Sequence, residues 1–459
     1  MHAPVRAALK SIVGAGHYRE TDGDLAPFSR DATPLFSARP DAVVFPADTQ
    51  EVSAVLSLAA QHGVPVVPRG AGSNLCAATV PLRGGVVLSL TRLNRILEIA
   101  PAELLTRVQP GVTSARLADA AAGHGLLWAP DPGSRTVATI GGTIATDAGG
   151  LRGLKYGVTR DHVLGLEAVL PTGEVIRTGG RLHKNVAGYD LTRLLTGSEG
   201  TLAVITEATL ALRPAPRTSG TGVAYFPHLA AAGRAVTAII AGGVLPATLE
   251  FLDRRCIVAV EAFAGLGLRT DAGALLLFGD DGEPDAVARA LEHMSEACAA
   301  NGALEVTRAA HVTEAEALLA ARRCTLPALS RLGSLTILED ATVPRPRIAE
   351  MVRRIDEIAE RHALTIATFG HAGDGNLHPT CVIDSADDAE AVARAELAFR
   401  DIFAAAVDLG GTITGEHGVG AAKLPYLSTQ LGPAQTALLR RVKNAFDPAG
   451  ILNPGKLGS

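Results

Sequence analysis

Apolar and polar positions first alternate regularly from Val43 onward. "VVFPADTQEVSAVLSLAAQHGVPVVPRGAGSN" reads as strand, helix, strand and loop. Asp48 stands three residues before Glu51, an N-cap signature, and Gly63 closes the helix. "VPVV" runs into the loop Arg69–Asn74, which holds small residues and no bulky apolar one. "GGVVLSL" and "LLTRVQPGV" predict further strands, and "TSARLADAAAGHG" a helix from Thr113 to Gly123 or Gly125. Residues 130–157 are crowded with glycine, threonine and serine and keep neither a 2 nor a 3.6 period, which predicts mostly loop. "VLGLEAVLPTGEVIRTG" restores a hairpin turning at Pro171-Thr172-Gly173. "GTLAVITEATLALRPAPR" predicts a strand pair ending in prolines, with a domain boundary near Arg217.

Beyond that boundary the helices "DAVARALEHMSEACAANG" and "PRIAEMVRRIDEIAERHA" are amphipathic. Strand-like runs such as "GALLLFGD" and "LTIATFGH" alternate with them, predicting an antiparallel or mixed sheet with helices on one face. The tail "LLRRVKNAFDPAGILNPGKL" reads as a helix and a turn-rich end. The class is α+β, without internal repeats or low-complexity linkers.

Composition narrows the function. A chain of 459 residues is long enough for two or three domains, and 47% hydrophobic with 19% charged residues suits large cores. A net charge of -5 and 4% aromatics disfavour a nucleic-acid binder, which would want a basic face and stacking platforms. The five cysteines are scattered without a CxxC, so neither a disulfide framework nor an iron–sulfur cluster is expected. No stretch is apolar and long enough for a signal peptide or a transmembrane segment, so a cytoplasmic protein is expected.

Three motifs carry candidate chemistry. In "PRGAGSN", Gly70 and Gly72 let the backbone approach a ligand, and successive N–H groups can form an anion nest. The spacing fits neither a P-loop nor a G-x-G-x-x-G dinucleotide fold. "PDPGS" and "TIGGTIATDAGG" form a second loop of backbone donors and small hydroxyls, and two such loops suit a long cofactor with a diphosphate in its middle. In "FGHAGDGNLHP", glycines rule out a helix, so His371 and His378 belong at neighbouring strand ends across a short hairpin loop. Two imidazoles are too few for a stable metal site. "GTITGEHGVG" offers Glu416 and His417 in a similar setting, while Asp374 reads as a turn cap. Histidines beside turns are commonly structural; three of them with a carboxylate shift the balance toward a site.

These segments, with "HKNVAGYDLTRLLTGSEGTLAVIT" and "FDPAGILNPGK", occur in an order that resembles the FAD-linked 2-hydroxy-acid dehydrogenases, the type of the glycolate oxidase flavin subunit and D-lactate dehydrogenase. The resemblance runs from about residue 30 to the C-terminus. It implies a two-subdomain FAD-binding fold of the vanillyl-alcohol oxidase type over residues 1–217. It further implies an α+β substrate and metal-binding cap over 218–420 and a C-terminal segment, 421–459, returning to the FAD domain. By the same resemblance FAD contacts Arg69, Gly70, Ala71, Gly72, Ser73 and Asn74. Pro130, Ser134, Thr139, Gly141, Gly142 and Thr146 would line the rest of the cofactor, with Ile205 near the adenine and Asn453 near the isoalloxazine. His371, His378 and Glu416 would hold a divalent metal, zinc or manganese; Arg322 and Asn376 would face substrate, and His417 would be the catalytic base.

The first loop and "RTVATIGG" lack the histidine to which the wider group attaches flavin, so noncovalent FAD is expected, with Cys76 the one other candidate for attachment. The segment "RRCTLPALSRLG" departs from relatives that read a second carboxylate, which favours lactate or glycolate over hydroxyglutarate. Three readings stand at this point: a metal-assisted FAD dehydrogenase of a small 2-hydroxy acid, a flavin subunit of a larger oxidase complex, and a zinc hydrolase. The first two need an unidentified electron acceptor, and the second places the chain with partner subunits, peripheral to a membrane.

Overall fold

A computed structural model describes residues 1–459, all with side chains except Val312. The chain forms two compact units. One comprises Met1–Gly149, Gly157–Ala215 and Glu416–Ser459; the other Gly150–Tyr156 and Pro216–Gly415.

The first unit contains two main sheets. In the four-stranded one, Ala42–Val44 and Val66–Arg69 flank Val86–Ser89 in parallel, and Tyr18–Arg19 pairs antiparallel at the edge. The predicted helix between the first two strands is Thr49–His62. Asp48 Oδ1 caps it by accepting from Glu51 N–H at 2.9 Å, and Gly63 ends it at φ 62°. Its Val52, Val55, Leu56 and Ala59 pack on the sheet with Val5, Leu9 and Val13 of the N-terminal helix, and Ile451 and Leu452 complete this core.

The second sheet is antiparallel, ordered Ile96–Ala100, Leu105–Val108, Val204–Ala211, Val163–Val169, Val175–Gly179. Its last two strands are the predicted hairpin. The predicted strand pair before the boundary is instead one long strand, Val204–Ala211, and a two-residue strand, Arg213–Pro214, that pairs with Leu126–Leu127.

Within the stretch expected to be mostly loop, Ile140–Thr146 is a helix. Glycine and threonine are poor helix formers, so tertiary contacts supply what propensity does not. Ile140 and Ile144, one turn apart, are buried in the core of the second sheet, and Thr139 Oγ1 accepts from Gly142 N–H at 3.3 Å. Gly141 lies so close to Pro110 that a Cβ there would come within 2.5 Å of it.

The second unit is built on an eight-stranded antiparallel sheet. The order is Glu305–Arg308, Thr218–Phe226, Ala274–Gly282, Thr248–Asp253, Thr365–His371, Asn376–Ile383, Leu335–Leu338, with Ala341–Thr342 also pairing onto Asn376–Leu377. Both predicted amphipathic helices are present, as Pro284–Ala300 and Ile348–Arg361. Lys155 ties the inserted segment Gly150–Tyr156 to this unit through Asp280 at 2.6 Å and Asp281 at 2.8 Å. Among the described residues no helix is long and apolar enough to cross a membrane.

Candidate active site

The two glycine-rich loops of the first unit meet. A Cβ on Gly70 would come within 2.1 Å of Thr139 Oγ1, so glycine is what lets the first loop touch the helix start of the second. Among the described residues, no acceptor meets the backbone N–H groups of Gly70, Ala71, Gly72, Ser73 or Asn74. Successive half-exposed donors of this kind suit a diphosphate, so the loop fits the FAD it was expected to hold.

The loop's side chains are occupied differently from the expectation. Arg69 is buried; its guanidinium donates to the carbonyls of Arg30 at 2.7 Å and Pro27 at 3.3 Å and lies over the Phe28 ring. Gly72, at φ 73°, crosses directly over that guanidinium. Asn74 Oδ1 accepts from Ala78 N–H at 2.9 Å, and its amide donates to Thr79 at 3.0 Å. These two side chains therefore shape the cradle, while the backbone offers the donors.

The remaining residues of the expected cofactor set fall within the same unit. Pro130 is buried and Ser134 half-buried on the second loop, and Thr146 Oγ1 donates back to the Gly142 carbonyl at 3.1 Å. Ile205 is core on the long strand, opposite Ala168. Asn453 is fully engaged: its amide donates to the carbonyls of Ala78 at 3.0 Å and Glu199 at 2.8 Å, and its Oδ1 accepts from Lys456 at 2.8 Å.

In the second unit the histidine hairpin forms as the glycines predict. Strands Thr365–His371 and Asn376–Ile383 pair with His371 opposite Asn376 and Phe369 opposite His378. Residues directly opposite, and residues two apart, share a face, so all four side chains project from the same side of the sheet. The two imidazole rings stand 5.2 Å apart at 85°. Gly370 has no room for a Cβ against the Asn376 carbonyl at 2.3 Å, and Gly375 turns at φ 88°.

Glu416 is placed through the residue before it. Gly415 N–H donates to Asp340 Oδ2 at 2.7 Å, and Thr414 Oγ1 donates to Asp340 Oδ1 at 2.9 Å. A Cβ on Gly415 would strike Thr342 Oγ1 at 2.2 Å and Asn376 Oδ1 at 2.6 Å, so only glycine lets the chain pass here. One ligand atom from each of His371, His378 and Glu416 lies within 4.8 Å of the others. Two imidazoles and a carboxylate are a donor set that fits a borderline divalent cation such as zinc or manganese. His417 follows immediately, and Glu199 holds the turn beyond it by accepting from Val419 N–H and Gly420 N–H, each at 2.7 Å. Burial pushes the Glu199 carboxyl upward, while those two donors and the Lys456 and Lys423 charges oppose the shift.

Two carboxylates that sequence reasoning missed support this arrangement. Glu250, 1% exposed on strand Thr248–Asp253, sits opposite His371 and takes its Nδ1 at 2.7 Å. Its other oxygen accepts from Arg322 Nε at 2.7 Å. Asp340, fully buried, anchors the Glu416 loop. The available signal was a glutamate inside the apolar run "TLEFLD", since a charge buried in a strand needs a partner. Arg322, expected to face substrate, spends only its Nε on Glu250, and its plane lies 4.7 Å from the Phe369 ring centre. Among the described residues no acceptor meets its terminal nitrogens or the Asn376 Nδ2, whose Oδ1 takes the Thr342 hydroxyl at 2.9 Å.

The chain is similar to known families and proteins over nearly its whole length. A family described as "FAD linked oxidases, C-terminal domain" matches residues 215–457, and one described as "FAD binding domain" matches 40–179. The glycolate oxidase subunit GlcD of Bacillus subtilis is 49% identical over 99% of this chain and 96% of its own. The D-lactate dehydrogenase of Anaerostipes hadrus is 36% identical over 94% of this chain and 92% of its own. The solved structure of p-cresol methylhydroxylase with substrate bound superposes with a TM-score of 0.82 over 99% of this chain and 96% of that one, at 16% identity, and shares the fold. The chain belongs to the FAD-linked oxidases, flavoproteins of the vanillyl-alcohol oxidase fold, and is an FAD-dependent oxidoreductase of the glycolate oxidase and D-lactate dehydrogenase kind.

Proposed function

We propose that the chain oxidises a small D-2-hydroxy acid, lactate or glycolate, to the 2-oxo acid with noncovalent FAD and a divalent cation. The observation that carries the reading is the cluster of His371, His378 and Glu416, with a buried carboxylate behind one imidazole. When bound there, a cation supplies charge that favours the hydroxyl's deprotonation and fixes a chelating 2-hydroxy carboxylate, and FAD supplies the hydride acceptor.

The chain's own residues do the rest. The terminal nitrogens of Arg322 and the amide of Asn376 bind the substrate carboxylate, and His417 removes the hydroxyl proton. The His417 imidazole would take the proton and FAD, when bound, would supply the acceptor for the hydride, so the two-electron oxidation balances. The aliphatic stretch after Arg323, "TLPAL", offers no second cation for a dicarboxylate, which favours lactate and glycolate. The 49% identity to a protein named as an oxidase subunit supports a second reading of the same chemistry, with electrons passed to partner subunits.

Anaerobic mixing of the purified protein with D-lactate, L-lactate, glycolate and D-2-hydroxyglutarate tests the proposal. Bleaching of the flavin band by D-lactate or glycolate, lost on chelation and restored by zinc or manganese, is expected. Bleaching insensitive to chelation in a metal-free protein would remove the cation from the mechanism. Steady turnover of the lone chain with a dye acceptor would separate a self-sufficient dehydrogenase from a subunit that needs its complex.

A further inference from the structure

Glu250 is a buried carboxylate paired in register with His371, and its two oxygens have different partners. An ionised carboxylate only accepts, so the 2.7 Å contact requires His371 Nδ1 to carry the hydrogen. The lone pair is then on Nε2, the tautomer an imidazole needs to ligate through that atom. The second oxygen takes Arg322 Nε, and the Phe369 ring under the guanidinium leaves that plane little freedom. Phe369 is itself held opposite His378 in the hairpin and opposite Leu252 on the Glu250 strand.

We propose that Glu250 is a positioning residue that orients both the His371 imidazole toward a metal and the Arg322 guanidinium toward the substrate carboxylate. The proposal rests on reading His371 as a ligand. A buried ion pair is a poor way to gain stability, since desolvation offsets most of the attraction. A carboxylate behind a ligating histidine, by contrast, is worth about 10–100-fold in metal affinity. Here the same carboxylate also reaches the arginine, so a change at Arg322, which is not one of the three proposed ligands, should weaken the metal.

The test is titration of metal-free, FAD-loaded protein with Zn²⁺ alone and with Mn²⁺ alone, for wild type, Glu250→Gln, Glu250→Asp and Arg322→Gln. Flavin content and thermal midpoint of each variant report folding separately. Glutamine presents one oxygen and one NH2, so it cannot accept from both neighbours. Metal Kd is expected to rise about 10–100-fold in Glu250→Gln, to rise less in Glu250→Asp, and to rise in Arg322→Gln as well. The KM for the hydroxy acid should climb in both glutamine variants at saturating metal. Wild-type metal affinity in a folded Glu250→Gln protein overturns the inference and leaves the proposed function standing; absence of metal binding in wild type overturns that function itself. If Glu250→Gln does not fold, Arg322→Gln decides: an unchanged metal Kd there refutes the coupling.

Discussion

Gly415→Ala tests whether the loop carrying Glu416 is held by close packing. The new methyl would lie 2.2 Å from Thr342 Oγ1 and 2.6 Å from Asn376 Oδ1, about 1 Å short of ordinary contact. Neither neighbour can swing away cheaply. The Thr342 hydroxyl donates to that same Asn376 oxygen at 2.9 Å, and the Gly415 N–H is pinned to Asp340 at 2.7 Å. The chain itself must shift, and overpacking of this kind costs about 1–3 kcal/mol. If the strain falls on the geometry that presents Glu416, metal affinity drops by about 5- to 150-fold at 1.4 kcal/mol per decade. The assay is zinc titration of the metal-free flavoprotein, with flavin absorbance and FAD content as controls for the first unit. Gly16→Ala, where a Cβ meets nothing within 4 Å, is the comparison. A Gly415→Ala protein with wild-type metal affinity and wild-type KM would refute the argument.

Further outcomes follow from other buried groups. Acid precipitation should leave yellow FAD in the supernatant, and colour retained in the pellet would point to covalent attachment at the buried Cys76. Glu416→Gln should lose metal and activity together, whereas His417→Gln should keep metal and FAD while kcat falls by about 10²–10⁴; the opposite pattern in metal analysis would exchange the two roles. Lys443 donates to the carbonyls of Thr201 and Leu452, each at 2.7 Å, and to Asp447 at 2.5 Å. Lys443→Met leaves that buried carboxylate without its cation and should cost about 3–5 kcal/mol in urea unfolding; a loss under 1 kcal/mol would contradict it. Burial lowers the Lys456 amine to about 8, below the value of 10.5 it has when exposed. The unfolded chain then binds the extra proton between those values, so this group makes stability rise with pH across that window. The wild-type minus Lys456→Met difference in unfolding free energy should therefore grow from pH 8 to 10.5, and a flat difference would refute the shift.

Local chemistry made the first unit legible. Asp48 and Gly63 bound their helix, and Pro171-Thr172-Gly173 turns its hairpin, because caps and tight turns depend on residues next to one another. The helix Ile140–Thr146 escaped because its residues favour loops, and burial of Ile140 and Ile144 against distant strands overrides that preference. The family resemblance implies Arg69 and Asn74 as ligand contacts. That their side chains hold the N-terminal segment and the loop itself depends on residues up to 42 positions away. Glu250 and Asp340 were hidden for the same reason: their partners His371 and Gly415 lie 121 and 75 residues along the chain.

The histidine pair shows what spacing alone can and cannot carry. Seven residues apart on a helix, two side chains stand about two turns apart, roughly 10 Å along the axis. On this hairpin the four residues Ala372–Gly375 reverse the chain, and the same separation makes His371 and His378 diagonal neighbours with rings 5.2 Å apart. The distinction lay in Gly373 and Gly375, which disfavour a helix and sit in the turn itself. The third candidate ligand, Glu416, has no such local signature. Its position depends on Gly415 lacking a side chain beside Asn376 and Thr342, and on a buried aspartate holding the peptide before it. A candidate metal site of this type is therefore half a local motif and half a packing result, and substitutions at Gly415 and Asp340 should disturb it as surely as substitutions at the ligands.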